Sequence, residues 1–132
     1  MKYEFAPDLQ AQADEISRML FPHVIVERVK CFRSYGSSSR NTIARCHTIG
    51  KLMQKALNIK AHYVIEFLEA FEKLEEKEKL KVIIHELMHI PKTFGGGFKH
   101  HDYVCAKNIN AFYRKYETLK DGSNEGEGKK WW

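Results

Sequence analysis

His85-Glu86-Leu87-Met88-His89-Ile90-Pro91 is the stretch that decides how the rest of this chain is read. It closes a segment, Leu74 to Ile90, in which Leu80, Ile83, Ile84, Leu87 and Met88 recur at helical spacing and predict one long amphipathic helix. Glu75, Glu76 and Glu78 near its start favour the helix dipole, and Ile90-Pro91 stops it. On a helix, side chains four residues apart stand one above the other, about 5–6 Å apart at Cβ. The imidazoles of His85 and His89 can therefore converge on one zinc ion, at about 2.0–2.1 Å each. Glu86 is turned about 100° from His85, which suits it to hold a water rather than the ion. That is the layout of metal-assisted hydrolysis, in which zinc lowers the pKa of a water and a carboxylate takes its proton. Two histidines bordering the buried face of a helix would leave the same letters without the chemistry.

Two ligands from one helix leave a tetrahedral catalytic site one protein ligand short. Downstream, His100, His101, Asp102 and Glu117 are candidates, and their spacing alone does not separate them. Gly95 to Gly97 form a loop able to fold the chain back onto the helix. Cys31 or Cys46 would make a thiolate site, yet neither lies in a recognisable motif. His23, His47 and His62 are scattered and read as structural or exposed.

Around this helix the pattern predicts a helix from Asp8 to Leu20, with Asp8 as N-cap, and a strand from His23 to Phe32. Tyr35 to Asn41 reads as a loop, Thr42 to Ile49 as a strand and Lys51 to Leu57 as a short helix. Ala61 to Leu68 is a further strand, Lys92 to His100 a loop and Asp102 to Leu119 a last helix. The result is an α+β fold: one domain over residues 1–120, then a tail over 121–132 with the composition of a flexible linker. With 132 residues and 43% hydrophobic content, a core can form without a metal or disulfide to hold it. Three cysteines and no CxxC pair fit a reducing compartment, and Met1 to Ala6 lacks the apolar core of a secretory signal. Apolar runs such as Val82-Ile83-Ile84 are too short to span a bilayer, so the expectation is a cytoplasmic protein with no membrane partner.

The net charge is +5, and Arg28 to Lys60 holds eight basic residues and no acid. A solvated basic face is the plain explanation. Nucleic acid, with the Ser-rich Tyr35 to Asn41 loop against phosphates, is the alternative partner for that stretch.

The stretch HELMHIPKTFGGGFKHH resembles a zincin-like metallopeptidase family of phages and archaea, whose signature is HEL-x-HIP, then F-x-GG, then a terminal His. RNTIARCHTIG, YVIEFLEAF and NINAFYRKY resemble the same family, so the likeness runs from about Val24 to Tyr116. Carried residue by residue, the pattern matches His85, Glu86 and His89, with His101 as third ligand. The family commonly has Pro before that last His and Gly after it. Here His100 and Asp102 stand in those places, which leaves His100 as a competitor to the favoured His101. The resemblance implies a single zincin-like domain, a small mixed sheet packed against the HExxH helix and a C-terminal helix. It also implies an edge strand lining the substrate cleft, a place that falls to Ala61 to Leu68, where an extended peptide could add by backbone hydrogen bonds.

The expected function is therefore a zinc-dependent metallopeptidase acting on peptide or protein. His85, His89 and His101 hold Zn2+, and Glu86 serves as general base and then as proton donor to the leaving amine. Tyr103 and Tyr63 are candidates to donate a hydrogen bond to an oxyanion, although packing is the commoner role. The alternatives are a zinc hydrolase of small amides and a nonenzymatic nucleic-acid-binding module with a structural zinc. The EGCLS-like motif of the peptide deformylases, which would favour the former, is absent.

Overall fold

A computed structural model describes residues 1–129. Strand β1 (Lys2–Phe5) leads into helix α1 (Pro7–Leu20), followed by β2 (Val29–Tyr35), β3 (Ala44–Thr48) and α2 (Lys51–Leu57). Then come β4 (Tyr63–Phe67), α3 (Glu76–Met88) and α4 (Ala106–Lys129), with 3-10 turns at Val26–Arg28 and Glu69–Lys73. The strands form one sheet in the order β1-β2-β4-β3. β2 and β4 run parallel, and the outer pairs are antiparallel, so the sheet is mixed. The α+β class expected from the sequence is what the chain adopts, as a single small domain.

The core forms where the apolar stripes of the helices meet alternate residues of the two central strands. Leu9, Ala13, Ile16 and Leu20 of α1, and Ile83, Ile84, Leu87 and Met88 of α3, are buried. They join Val29 and Cys31 of β2, Tyr63, Ile65 and Phe67 of β4, and Tyr113 and Tyr116 of α4 in one cluster. The stripe read along α3 is thus the face that anchors the site-bearing helix to the sheet.

Several sequence expectations need correction. α1 starts at Pro7, so Ala6 and not Asp8 holds the cap position. Proline suits the first helical turn because its missing N–H would be unpaired there anyway. Asp8 instead takes both ends of the Arg33 guanidinium at 2.7 and 2.8 Å, while Arg33 Nε donates to Glu72 at 2.6 Å. That hydrogen bonding pulls the Asp8 carboxyl down to about 2. The strand expected from His23 begins only at Val29, because the Val24 N–H turns back to the Phe21 carbonyl and Val26–Arg28 close a 3-10 turn. β1 was not foreseen: its four residues are all exposed and carry no pattern beyond their pairing with β2.

The most consequential correction concerns the edge strand. β4 lies between β2 and β3, so the segment from Ala61 to Leu68 is interior and the edges belong to β1 and β3. The burial patterns agree: YVIEF, flanked by a strand on each side, has four buried residues of five, whereas ARCHT alternates half-buried with exposed. At the other end, α4 begins at Ala106 rather than Asp102, since the N–H groups of Tyr103 and Val104 both turn back to the His100 carbonyl. It continues through Lys129, and residues 130–132 of the expected tail lie outside the described residues. Among the described residues, no helix is long and apolar enough to cross a membrane.

Ile84→Ala should cost about 2–5 kcal/mol of unfolding free energy in urea titrations, because Ile84 is fully buried. Asp8→Asn should lower the melting temperature at pH 6, and the two proteins should converge near pH 2. The carboxylate's contribution is present above its unfolded pKa and lost as pH falls through its depressed folded value.

Candidate metal centre

The site is built at the C-terminal end of α3. His85 lies in the last turn and His89 is the C-cap, still with helical dihedrals of φ −68° and ψ −19°. The four-residue spacing is therefore realised, and the two rings stand 5.2 Å apart between centroids. After Pro91 the chain doubles back and brings the His101 ring to 5.2 Å from His89 and 6.3 Å from His85. One ring nitrogen from each of the three lies within 4.8 Å of the others.

The return loop is held by contacts that leave little freedom. Phe94 is buried with a left-handed φ of 48°, against Tyr63 at 4.9 Å and under the Arg28 guanidinium at 5.1 Å. Gly96 has φ 98°, and a Cβ there would come within 2.7 Å of the Ile49 carbonyl. Only glycine meets both demands. The Tyr63 hydroxyl donates to the Gly97 carbonyl at 2.8 Å and accepts from the Gly96 N–H at 3.0 Å. The Gln54 amide donates to the carbonyls of Ile49 and Gly95 at 2.8 and 3.1 Å. Tyr63 is thus a buried support of the loop, with its hydroxyl occupied, and is not available as an oxyanion donor. Tyr103 is half-buried, with the Lys99 ammonium 4.3 Å from its ring.

The loop reaches the helix through a reciprocal pair. The Lys99 N–H donates to the His89 carbonyl at 2.8 Å, and His89 Nδ1–H donates to the Lys99 carbonyl at 2.8 Å. That second bond fixes the tautomer that frees His89 Nε2 for a metal. Burial, first of all, holds the His85 and His89 rings below the ordinary imidazole pKa, and the neighbouring rings add to it. Neutral imidazole is the form a metal needs. Three converging rings, one of them already oriented by a backbone carbonyl, fit a metal ion.

Glu86 is 5% exposed, and burial alone pushes its carboxyl up to about 7. It lines a cleft of about 450 Å3 together with His85, His89 and His101. Ala44, Arg45 and Cys46 of β3 line it too, so an edge strand borders the site. His100 also lines this cleft, but its ring stands outside the converging trio. The Asp102 carboxylate accepts from the Tyr103 N–H at 2.9 Å, and Glu117 lies exposed on α4 beside Tyr113. Burial raises the Cys31 thiol to about 12 and the Cys46 thiol further still, so neither is a ready thiolate. The remaining histidines sit elsewhere. His23 bonds the Ile90 carbonyl at 3.0 Å, His47 pairs with Glu66 at 2.8 Å and His62 bonds the Lys60 carbonyl at 2.7 Å.

Sequence reasoning missed the supports: Tyr63, Gln54 and the backbone of Lys99. A tyrosine inside a buried strand and three successive glycines hinted at a braced loop, but nothing in one sequence says that they meet. A family model described as "Putative phage metallopeptidase" matches residues 1–122. No curated protein and no solved structure matches the chain.

Gly96→Ala should leave the chain folded while weakening metal binding by about 10–100-fold, the usual cost of disturbing what orients a ligand. Competition against a chromophoric chelator would measure it.

Proposed function

This chain belongs to the phage metallopeptidase family, and from that membership we propose that it hydrolyses peptide bonds with zinc held by His85, His89 and His101. The observation that carries the proposal is the convergence of those three ring nitrogens in a cleft that also holds the buried Glu86. A tetrahedral zinc with three protein ligands keeps one position for water or substrate, and when bound it lowers the pKa of water and polarises a carbonyl.

The chain's own residues supply the rest. The Lys99 carbonyl holds His89 in the tautomer that presents Nε2. Glu86, its carboxyl raised by burial rather than paired with a cation, takes the proton of the attacking water and returns it to the leaving amine. β3 offers an extended peptide the unpaired backbone groups of its outer edge, so the substrate lies as an added strand beside the trio. Residues 1–120 form the catalytic unit in this proposal. The three cysteines are free, in keeping with a reducing cytoplasm.

Glu86→Gln should retain one zinc per chain by elemental analysis and lose hydrolysis by about 100-fold or more. Cleavage at the parental rate would sink the mechanism. His101→Ala should lose the metal while His100→Ala keeps it, and the reverse result would move the third ligand to His100.

A further inference from the structure

Helix α2 (Lys51–Leu57) is mounted the wrong way round for a helix of a globular domain. At about 100° per residue, Leu52, Met53, Ala56 and Leu57 share one half of it, and Lys51, Gln54 and Lys55 share the other. Gln54 is the residue that ties α2 to the body, through the Ile49 and Gly95 carbonyls. Gln54 is therefore the side chain turned toward the body, its lysine neighbours border the gap beside it, and the apolar half faces solvent. None of its residues is buried, and Leu52 is 82%, Leu57 56% and Met53 51% exposed. Ile59, just beyond, is 43% exposed. Beneath the polar half lies a second cleft, of about 630 Å3, where Arg28 meets Lys51, Lys55 and Lys60 with no acid in the lining. The basic stretch of the sequence thus resolves unevenly: Arg33 is spent on Asp8 and Glu72, while these four cations gather around α2.

We propose that α2 and its cationic cleft are a docking site for an acidic, apolar segment of a polypeptide, the protein substrate itself at a distance from the cleaved bond. Charge complementarity calls for acidic side chains in the cleft, and the exposed aliphatic face calls for apolar ones. The apolar half and the cations lie on opposite sides of the helix, so a flat anionic bilayer meets only one of them. A nucleic acid would use the cations and gain nothing from Leu52, Met53 or Leu57, since bases stack on aromatic rings. A flexible polypeptide can take both. The location fits as well: β3 runs through Ile49-Gly50 into α2, so Lys51 is at most about 16 Å from Cys46 even at full strand rise. A chain laid along the β3 edge beside the trio therefore continues onto α2. The word substrate rests on the peptidase reading, whereas the docking site does not.

The test uses fluorescence anisotropy with the full, zinc-loaded chain carrying Glu86→Gln, so that no probe is cut. The probe is a labelled peptide interleaving Glu with Leu, alongside versions with every Glu or every Leu replaced by Ser, single-stranded DNA, and phosphatidylserine vesicles. The Glu/Leu peptide should bind about tenfold or more tightly than either Ser version. Reversing Lys51, Lys55 and Lys60 to Glu together should abolish that preference, and so should changing Leu52, Met53 and Leu57 to Ser together. Because α2 buries nothing, both variants should keep the parental melting temperature. The docking site is overturned if no peptide binds, if the variants bind it unchanged, or if DNA or vesicles bind more tightly and lose binding in the same variants. Repeating the titration on the metal-free His85→Ala chain separates the two ideas. Docking that persists there, while the zinc-loaded parent chain cleaves none of the peptides, would overturn the peptidase reading alone.

Discussion

The structure depends on two backbone-directed hydrogen bonds between residues ten apart, His89 and Lys99. One satisfies a carbonyl that the end of α3 would otherwise leave unpaired. The other consumes the proton of the ring nitrogen that a metal does not need. A single contact therefore ends the helix, closes the loop that delivers His101 and sets the chemical form of His89. The supports beneath it serve the same closure. Tyr63 takes its place in the sheet and its hydroxyl holds two glycines of the loop, while Gln54 clasps Gly95 from the far side. The loop is irregular in backbone but braced at each step, from a central strand, from a surface helix and from the helix it returns to.

The mixed sheet matters to the site mainly through its order. Because β4 sits inside, its Tyr63 can brace the loop from within the core, and β3 is left free to line the cleft along with the histidines. The hydrophobic packing of Ile83, Ile84 and Leu87 then holds the helix against this frame, so the positions of His85 and Glu86 are set by a core that needs no metal to form.

The sequence was most legible where periodicity and chemistry coincided. The α3 stripe predicted the helix, and the helix made the His85 and His89 spacing meaningful. The strand from Ala61 was also legible as a strand, but the position of a strand within a sheet is a tertiary fact. Its apolar run, Tyr63 to Phe67 interrupted only by Glu66, was the available sign that it lay inside. β1 escaped because four exposed residues carry no burial pattern, and its pairing with β2 spans about thirty positions of chain. The placement of His101 beside the helix could not be read from spacing, since the loop before it derives its path from a left-handed Phe94, a glycine packed against Ile49 and a tyrosine from another element. Only the resemblance to a family pointed to it. The inverted mounting of α2 was equally hidden, because its amphipathic pattern is the same whichever half faces the core.

The end of α3 carries a further electrostatic consequence. A helix concentrates partial negative charge at its C-terminus, equivalent to roughly half an elementary charge, and His85 and His89 stand at that pole. The converging trio contains three imidazoles and no carboxylate. Neutral donors leave a divalent cation with its full formal charge, while the helix pole attracts it without neutralising it through a bond. Attraction of a cation and preservation of its electron-withdrawing strength would then be divided between two parts of the fold: the backbone of the helix would draw the cation in, and neutral side chains would hold it without quenching it.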